Sequence, residues 1–235
     1  MRPTEQWRNQ DLAREYTDKA TKPDINWYEY EVNLPNFLSL IPKGAKNILD
    51  FGCGPGDVTE IIAREFPNST IEGCDASEAM LDLAKKKLAA VDFYMWDGTD
   101  PMPKNDGRYD CVVSKLTVHF VEDLGLLAKQ IHAVLEAGGS FVFSVPHPMR
   151  SVREIGDRSY WDQAEYDEEI GKYGITAVFI HRSIQDYFLS FSKAGFVLTG
   201  LSEPAISPEQ IQKHNVDPGY ASIPRRLNWR FEKEQ

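Results

Sequence analysis

The segment Ile48-Leu49-Asp50-Phe51-Gly52-Cys53-Gly54-Pro55-Gly56 constrains the fold of this chain more than any other. It is an apolar run of one strand's length, three glycines in alternation, and then an amphipathic stretch. Glycine removes the side chain where backbone must turn sharply or lie against a ligand, and the helix that follows offers unpaired N–H groups. Strand, glycine turn and helix in this order open a parallel α/β unit and point to a nucleotide-type cofactor at the strand's carboxyl end. Two details turn the segment away from a dinucleotide. The third glycine follows the second by two residues instead of three, and Asp57 comes next, where it would oppose a pyrophosphate.

From residue 46 onward, β-rich runs alternate with amphipathic stretches, the pattern of a parallel sheet covered on both faces. Strands are expected at 47–51, 70–74, 90–95, 109–114, 140–145 and 196–201. A final strand over 226–231 carries Leu227, Trp229 and Phe231 in alternation, which suits an antiparallel strand at the sheet's edge. Val58, Ile61, Ile62 and Phe66 form one helical stripe, and Leu127, Ile131, Val134 and Leu135 another, which Gly138 and Gly139 are expected to stop. Ile184, Tyr187, Phe188 and Phe191 mark a late helix. With no repeat and no linker composition, residues 1–235 read as one domain: an aromatic cover over 1–45, a cofactor-binding core over 46–146, a lid insertion over 147–181 and a C-terminal helix and strands over 182–235.

Lys plus Arg number 26 against 36 Asp plus Glu, a formal charge of -10 that gives no general electrostatic attraction for nucleic acid. Cys53, Cys74 and Cys111 form no CxxC pair and read as core thiols in a reducing compartment, so no metal site is expected. No signal segment opens the chain, and no apolar run approaches the roughly 20 residues that span a bilayer. The expectation is a soluble cytoplasmic protein with no membrane partner; its oligomeric state is not legible.

Asp75 ends the second strand 19 residues past Gly56, where a carboxylate can accept both hydroxyls of a ribose. The competing reading is that Asp75 caps the helix beginning near Ser77, since Asp-x-x-Glu has the form of a capping box. Trp96-Asp97-Gly98-Thr99 follows the third strand and is either a plain turn or a carboxylate and N–H that read an adenine edge.

Taken with Tyr109-Asp110-Cys111-Val112-Val113-Ser114 and Leu135-Glu136-Ala137-Gly138-Gly139, these segments resemble the ordered motifs of class I S-adenosylmethionine-dependent methyltransferases over about residues 47–145. Such a resemblance implies a Rossmann-like, seven-stranded, mostly parallel sheet with an antiparallel last strand inserted as a hairpin partner, helices on both faces, and S-adenosylmethionine as cofactor with S-adenosylhomocysteine as product. It implies contacts with the cofactor from Tyr16, Asp50, Gly52, Cys53, Gly54, Gly56, Asp75, Ala76, Met80, Asp97, Gly98, Ser114 and Lys115. In it Asp75 holds the ribose, Asp97 and Gly98 the adenine, and Asp50 reaches the cofactor amine through water. Ser114-x-Leu-x-x-His119-Phe120 and Phe143-Ser-Val-Pro-His147-Pro148 are similar to a bacterial subgroup acting on small molecules, with Lys115 a departure where a small or neutral residue is more familiar.

Methyl transfer from a sulfonium is mostly alignment and exclusion of water, and a base is needed only when the acceptor arrives protonated. His119, His147 and His181 are the candidate bases, each with a structural alternative: a bond to backbone, a rigid Pro-His-Pro turn, or the start of a helix. Trp7, Tyr16, Trp27, Tyr28 and Tyr30 suggest an arm that packs over the pocket. Residues 153–172 hold seven acids against three bases, read first as a solvated acidic loop and second as a lid for an aromatic or cationic amine. The function expected is methylation of a small-molecule metabolite. The alternatives are an RNA or tRNA methyltransferase, for which the Asn/Asp-Pro-Pro-aromatic motif is missing at Ser114-Lys115-Leu116, and a non-catalytic S-adenosylmethionine-binding regulator.

Overall fold

The computed structural model describes residues 3–20, 26–102, 107–170 and 174–234. A single helical turn at Glu5–Arg8 and α1 (Gln10–Ala20) precede a wide turn of π type at Tyr28–Asn33 that runs into α2 (Leu34–Leu40). The alternation then begins: β1 (Asn47–Phe51), α3 (Asp57–Glu65), β2 (Thr70–Asp75), α4 (Glu78–Lys87), β3 (Asp92–Met95), β4 (Tyr109–Lys115), α5 (Leu124–Val134) and β5 (Leu135–Pro146). After the short α6 (Pro148–Ser151) come β6 (Ala164–Glu169), β7 (Thr176–His181), α7 (Ile184–Ser192), β8 (Phe196–Ser202), α8 (Pro208–His214), α9 (Pro218–Ala221) and β9 (Arg226–Lys233).

Seven strands form one sheet in the order β3-β2-β1-β4-β5-β9-β8. The neighbours from β3 to β5 pair in parallel, and β9 is antiparallel to both β5 and β8. Strand alternation decides which core each residue joins. Val112, Phe141 and Phe143 face α5 and α7, while Cys111, Val113 and Val142 face α2 and α3.

Four expectations are corrected. Strand β9 is interior, flanked on both sides, and β8 takes the edge; the alternation of Leu227, Trp229 and Phe231 puts these three on one buried face and cannot by itself separate an edge from an interior position. Helix α5 stops at Val134, and Leu135 is already extended (φ -80, ψ 140), so the two glycines lie inside β5 and not at the helix end. Ala164–Glu169 and Thr176–His181 pair as a second, two-stranded antiparallel sheet where a loop was expected. The sequence Ala-Glu-Tyr-Asp-Glu-Glu alternates, and the hairpin buries Ala164 and Tyr166 while Glu165 and Asp167 face outward. His181 ends β7 instead of starting a helix; α7 begins at Ile184 with a capping box between Ser183 and Asp186. Lys172 lies outside the described residues. Among the described residues, no helix is long and apolar enough to cross a membrane.

Candidate active site

The carboxyl ends of β1 to β5 form a crest over which a cavity of ≈ 290 Å³ opens. Because β9 is antiparallel, its first residue, Arg226, sits opposite Pro146 and reaches the same crest. In sheet order the charged residues that line the cavity at the strand ends are Asp97 after β3, Asp75 on β2, Asp50 on β1, Lys115 on β4, Arg150 after β5 and Arg226 on β9, with Glu29, Asp57, Glu168 and Arg225 around them. Three acids are followed by three bases along one line.

At the acidic end the glycine turn is held from two sides. Gly52 and Cys53 N–H donate to the Cys74 carbonyl, at 2.8 and 3.0 Å. Gly52 has φ +72, and a Cβ there would meet the Thr117 side chain at 2.3 Å, so the position admits glycine alone. Gly54 N–H donates to one Asp75 oxygen at 2.9 Å, and Ser77 N–H donates to the other at 2.8 Å. Ser77, not Asp75, is the N-cap of α4. Asp75 therefore spans the glycine turn and the start of α4, and its carboxylate still has acceptor positions to offer. Burial raises its pKa, opposed by these backbone hydrogen bonds. Asp50 is buried and accepts from the Thr59 hydroxyl at 2.7 Å; burial, and Asp75 beside it, push its pKa up to about 7 despite that bond. Asp97 is bonded by Thr99 and, at 3.0 Å, by Arg8 from the arm; against the effect of burial, these contacts hold its pKa low.

Tyr16, Cys53, Ala76 and Met80 also line the cavity, Tyr16 standing edge-on to Trp7 with ring centroids 5.1 Å apart. Three sequence candidates do not. Gly56 (φ +85) is the N-cap of α3 and packs on Ala84; Gly98 (φ +81) packs on Leu127 and Phe51; Ser114 is wholly buried. Their glycines and small side chain permit close packing beneath the site instead of contact within it.

Only one of the three candidate histidines reaches the cavity. His119 lies between Phe120 and Phe179, its two ring nitrogens buried without a partner among the described residues, and burial followed by Arg226, Arg182 and Arg150 pushes its pKa well down. His147 caps α6 by accepting from Met149 N–H at 3.1 Å and sets Nε2 2.8 Å from Glu203. His181 has Nδ1 2.7 Å from the Ser151 hydroxyl and Nε2 2.9 Å from the Tyr160 carbonyl, fastening the hairpin to the segment after β5. Neither histidine lines the cavity: both nitrogens of His181 are bonded elsewhere, and those of His147 face Met149 and Glu203.

Several lining residues escaped the sequence reading. Glu29 accepts from Lys115 at 2.7 Å, Arg226 at 2.6 Å and Asn33 at 2.8 Å; burial opposes its charge, but these cations bring its pKa to about 2. Glu168 comes from the hairpin and pairs with Arg150. Leu116 has φ +58, a strained conformation for a leucine, in the turn that carries Lys115 and Thr117 to the wall. The arm and the hairpin are tied together: the Gln6 amide donates to the Val178 carbonyl at 2.9 Å and accepts from its N–H at 2.8 Å. Trp27, expected over the pocket, instead stacks on His214.

This donor set fits S-adenosylmethionine. A Cβ at Gly54 meets nothing within 4 Å on a loop that lines the cavity, carboxylates stand where hydroxyls and amines need acceptors, and Asp57 beside the turn disfavours a phosphate.

Residues 48–139 match the family described as methyltransferase domain. The chain is 28% identical over 162 residues to a trans-aconitate 2-methyltransferase of Paracidovorax citrulli, covering 66% of this chain and 58% of that protein. It is 29% identical over 163 residues to malonyl-[acyl-carrier protein] O-methyltransferase 1 of Ilyobacter polytropus, covering 67% and 55%. The matched part thus spans less than two thirds of either relative's length. Among solved structures, an S-adenosylmethionine-dependent methyltransferase from Mesorhizobium loti superposes with a TM-score of 0.69 at 22% identity, over 85% of this chain and 96% of that one. The glycine turn, its Asp75 strut and the inserted antiparallel β9 share one sheet with the matched segment, so the fold is that of the class I S-adenosylmethionine-dependent methyltransferases and residues 48–139 match the methyltransferase domain family.

Proposed function

We propose that this protein transfers a methyl group from S-adenosylmethionine to a small-molecule acceptor in the cytoplasm. The observation that carries the reading is the continuity of one cavity from Asp97 and Asp75 to His119 and Arg226, which puts a cofactor end and an acceptor end over the same crest. Asp75, Asp97, Asp50, the glycine turn, Met80 and Tyr16 would hold the cofactor. What it supplies when bound is a methyl group on a positively charged sulfur, which an acceptor's lone pair takes as the carbon–sulfur pair returns to sulfur.

The chain's own residues orient and enclose. Trp7, Tyr16, Phe120 and Phe179 wall the cavity with rings, and the arm–hairpin clasp keeps water out, the conditions under which alignment alone is effective. His119 is neutral and its free nitrogens can orient a polar acceptor, but a strongly lowered pKa makes it a weak base. The two relatives are named for trans-aconitate and a malonyl carrier protein, which supports an acyl metabolite as the kind of acceptor. The net charge of -10 argues against RNA, and the three free, buried cysteines accord with a reducing compartment.

Calorimetric titration of the full chain with S-adenosylmethionine, S-adenosylhomocysteine and NAD tests the cofactor assignment. Micromolar binding of the first two and none of NAD is expected, followed by methyl transfer to members of a metabolite pool. Preference for NAD would overturn the reading, and cofactor binding without any turnover would favour the regulator.

Asp50 adds a linked expectation. With its pKa near 7, its carboxyl is about half protonated at neutral pH, and a cofactor ammonium brought near would expel the proton. Titration with S-adenosylhomocysteine at pH 7 in phosphate and in Tris should therefore show net proton release, absent at pH 9 and absent in Asp50→Asn. Proton uptake, or heats independent of buffer, would remove Asp50 from the cofactor's amine.

A further inference from the structure

Among the described residues, the basic end of the crest carries more positive charge than the carboxylates beside it neutralise. Lys115, Arg150, Arg225 and Arg226 line it, against two carboxylates, Glu29 and Glu168. Glu29 is shared by Lys115 and Arg226, and Glu168 pairs with Arg150. Arg225 has no carboxylate: its guanidinium lies over the Tyr220 ring at 3.7 Å, and no hydrogen bond or ion pair reaches it among the described residues. Among the described residues four cations share two anions, a surplus of two charges in a partly enclosed space. The cations feel one another. Burial first, then Arg226 and Arg225, lower the Arg150 pKa to about 10, and Arg225 is lowered by burial with Arg226 contributing.

Uncompensated guanidinium groups gathered beside aromatic rings are costly unless an anion completes them, and a planar fork held flat on a ring is oriented for bidentate pairing with a carboxylate. Resting on the cofactor reading above, we infer that the methyl acceptor is a small dicarboxylate, anchored through one carboxylate by the Arg225 guanidinium, with Arg150 and Arg226 completing the charge. This replaces the cationic amine expected from the acidic lid. Of that lid's seven acids, only Glu168 lines the cavity, and it is already spent on Arg150. The second carboxylate suits the rest of the site. An ionised oxygen attacks with a lone pair and releases no proton, so a cavity whose one histidine is a poor base is sufficient for ester formation.

The test uses the full chain saturated with S-adenosylhomocysteine and titrated by calorimetry with malonate, succinate, glutarate and adipate, with monomethyl succinate, 1,4-butanediol and 1,4-diaminobutane as matched controls. At least one diacid should bind in the millimolar range or tighter, weakening as salt rises, with the diol and diamine silent and the monoester weaker. Arg225→Gln should weaken that diacid by about tenfold or more. Arg225→Lys should recover part of the loss, and the affinity for S-adenosylhomocysteine should stay within about twofold in both. Binding of the diamine or diol in preference to every diacid, or no diacid binding at all, overturns the inference. So does an Arg225→Gln variant that loses S-adenosylhomocysteine instead, because Arg225 would then hold the cofactor's carboxylate. Failure of the wild type to bind S-adenosylhomocysteine would be the separate failure of the cofactor reading.

Discussion

Replacing Asp75 by alanine is expected to weaken S-adenosylmethionine binding by about a hundredfold or more, while the protein stays folded. The expectation combines two losses. In the proposed complex the carboxylate accepts the ribose hydroxyls, and hydrogen bonds to a charged group contribute roughly 1.5–3 kcal/mol each. The same carboxylate holds Gly54 N–H and Ser77 N–H, one on each oxygen, so its removal also frees the turn that faces the ligand. Asparagine is no remedy. Both oxygens of Asp75 receive an N–H, and an amide must set its own NH2 against one of those donors. Asp75→Asn should therefore bind the cofactor nearly as poorly as Asp75→Ala, although it is the closer isostere. Calorimetry gives the affinities and thermal unfolding shows that the fold survives. Near-native affinity in Asp75→Asn would mean that Asp75 only ties β2 to α4.

The largest effect on stability is expected at Trp229. This side chain is 1% exposed in the middle of β9, beside Phe143 at 6.0 Å and Phe231 at 5.6 Å between ring centroids, and near Tyr187 on α7 at 6.3 Å. Register puts it opposite Phe143 on one side and Leu201 on the other, so its truncation opens a void between three strands and a helix that cannot all close at once. Such a change costs about 3–5 kcal/mol, which for a domain of this size lowers Tm by roughly 10 °C. The indole N–H has no partner among the described residues, so phenylalanine at this site forfeits none of their hydrogen bonds and should recover most of the loss. Thermal melts of Trp229→Ala and Trp229→Phe measure this. A loss below about 1 kcal/mol in the alanine variant would show that the aromatic layer relaxes to fill the space.

What could be read from the sequence was local. Asp50, Asp75 and Asp97 each lie at the end of a strand whose apolar run is visible, so the acidic half of the crest was legible from strand position and spacing. The basic half was not. Glu29, Arg150, Glu168, Arg225 and Arg226 come from the arm, α6, the hairpin, a turn and the last strand, and nothing local marks their convergence. Lys115 drew notice as a departure from the family, and the acid that explains it stands 86 residues earlier in the chain. His147 follows a strand as His119 does, but its Nδ1 caps α6, and both nitrogens of His181 fasten the hairpin; such bonds have no signature in spacing. The hairpin was legible in principle from the alternation of Ala164, Tyr166 and their acidic neighbours; a count of charges hid the period of two.

The insertion of β9 between β5 and β8 has a consequence for the order in which the molecule is made. A chain emerging from the ribosome can pair β1 to β5 as they appear, yet β5 must wait for residues 226–233 before its second edge is covered. Until then Phe141, Val142 and Phe143 belong to an open, apolar edge, the kind of surface on which nascent chains associate. The same late event delivers Arg226 to the crest. Closing the sheet and completing the acceptor end are thus one step, so a chain cut before β9 would leave that edge open and lack Arg226 at the crest, while keeping the strands that carry Asp50, Asp75 and Asp97.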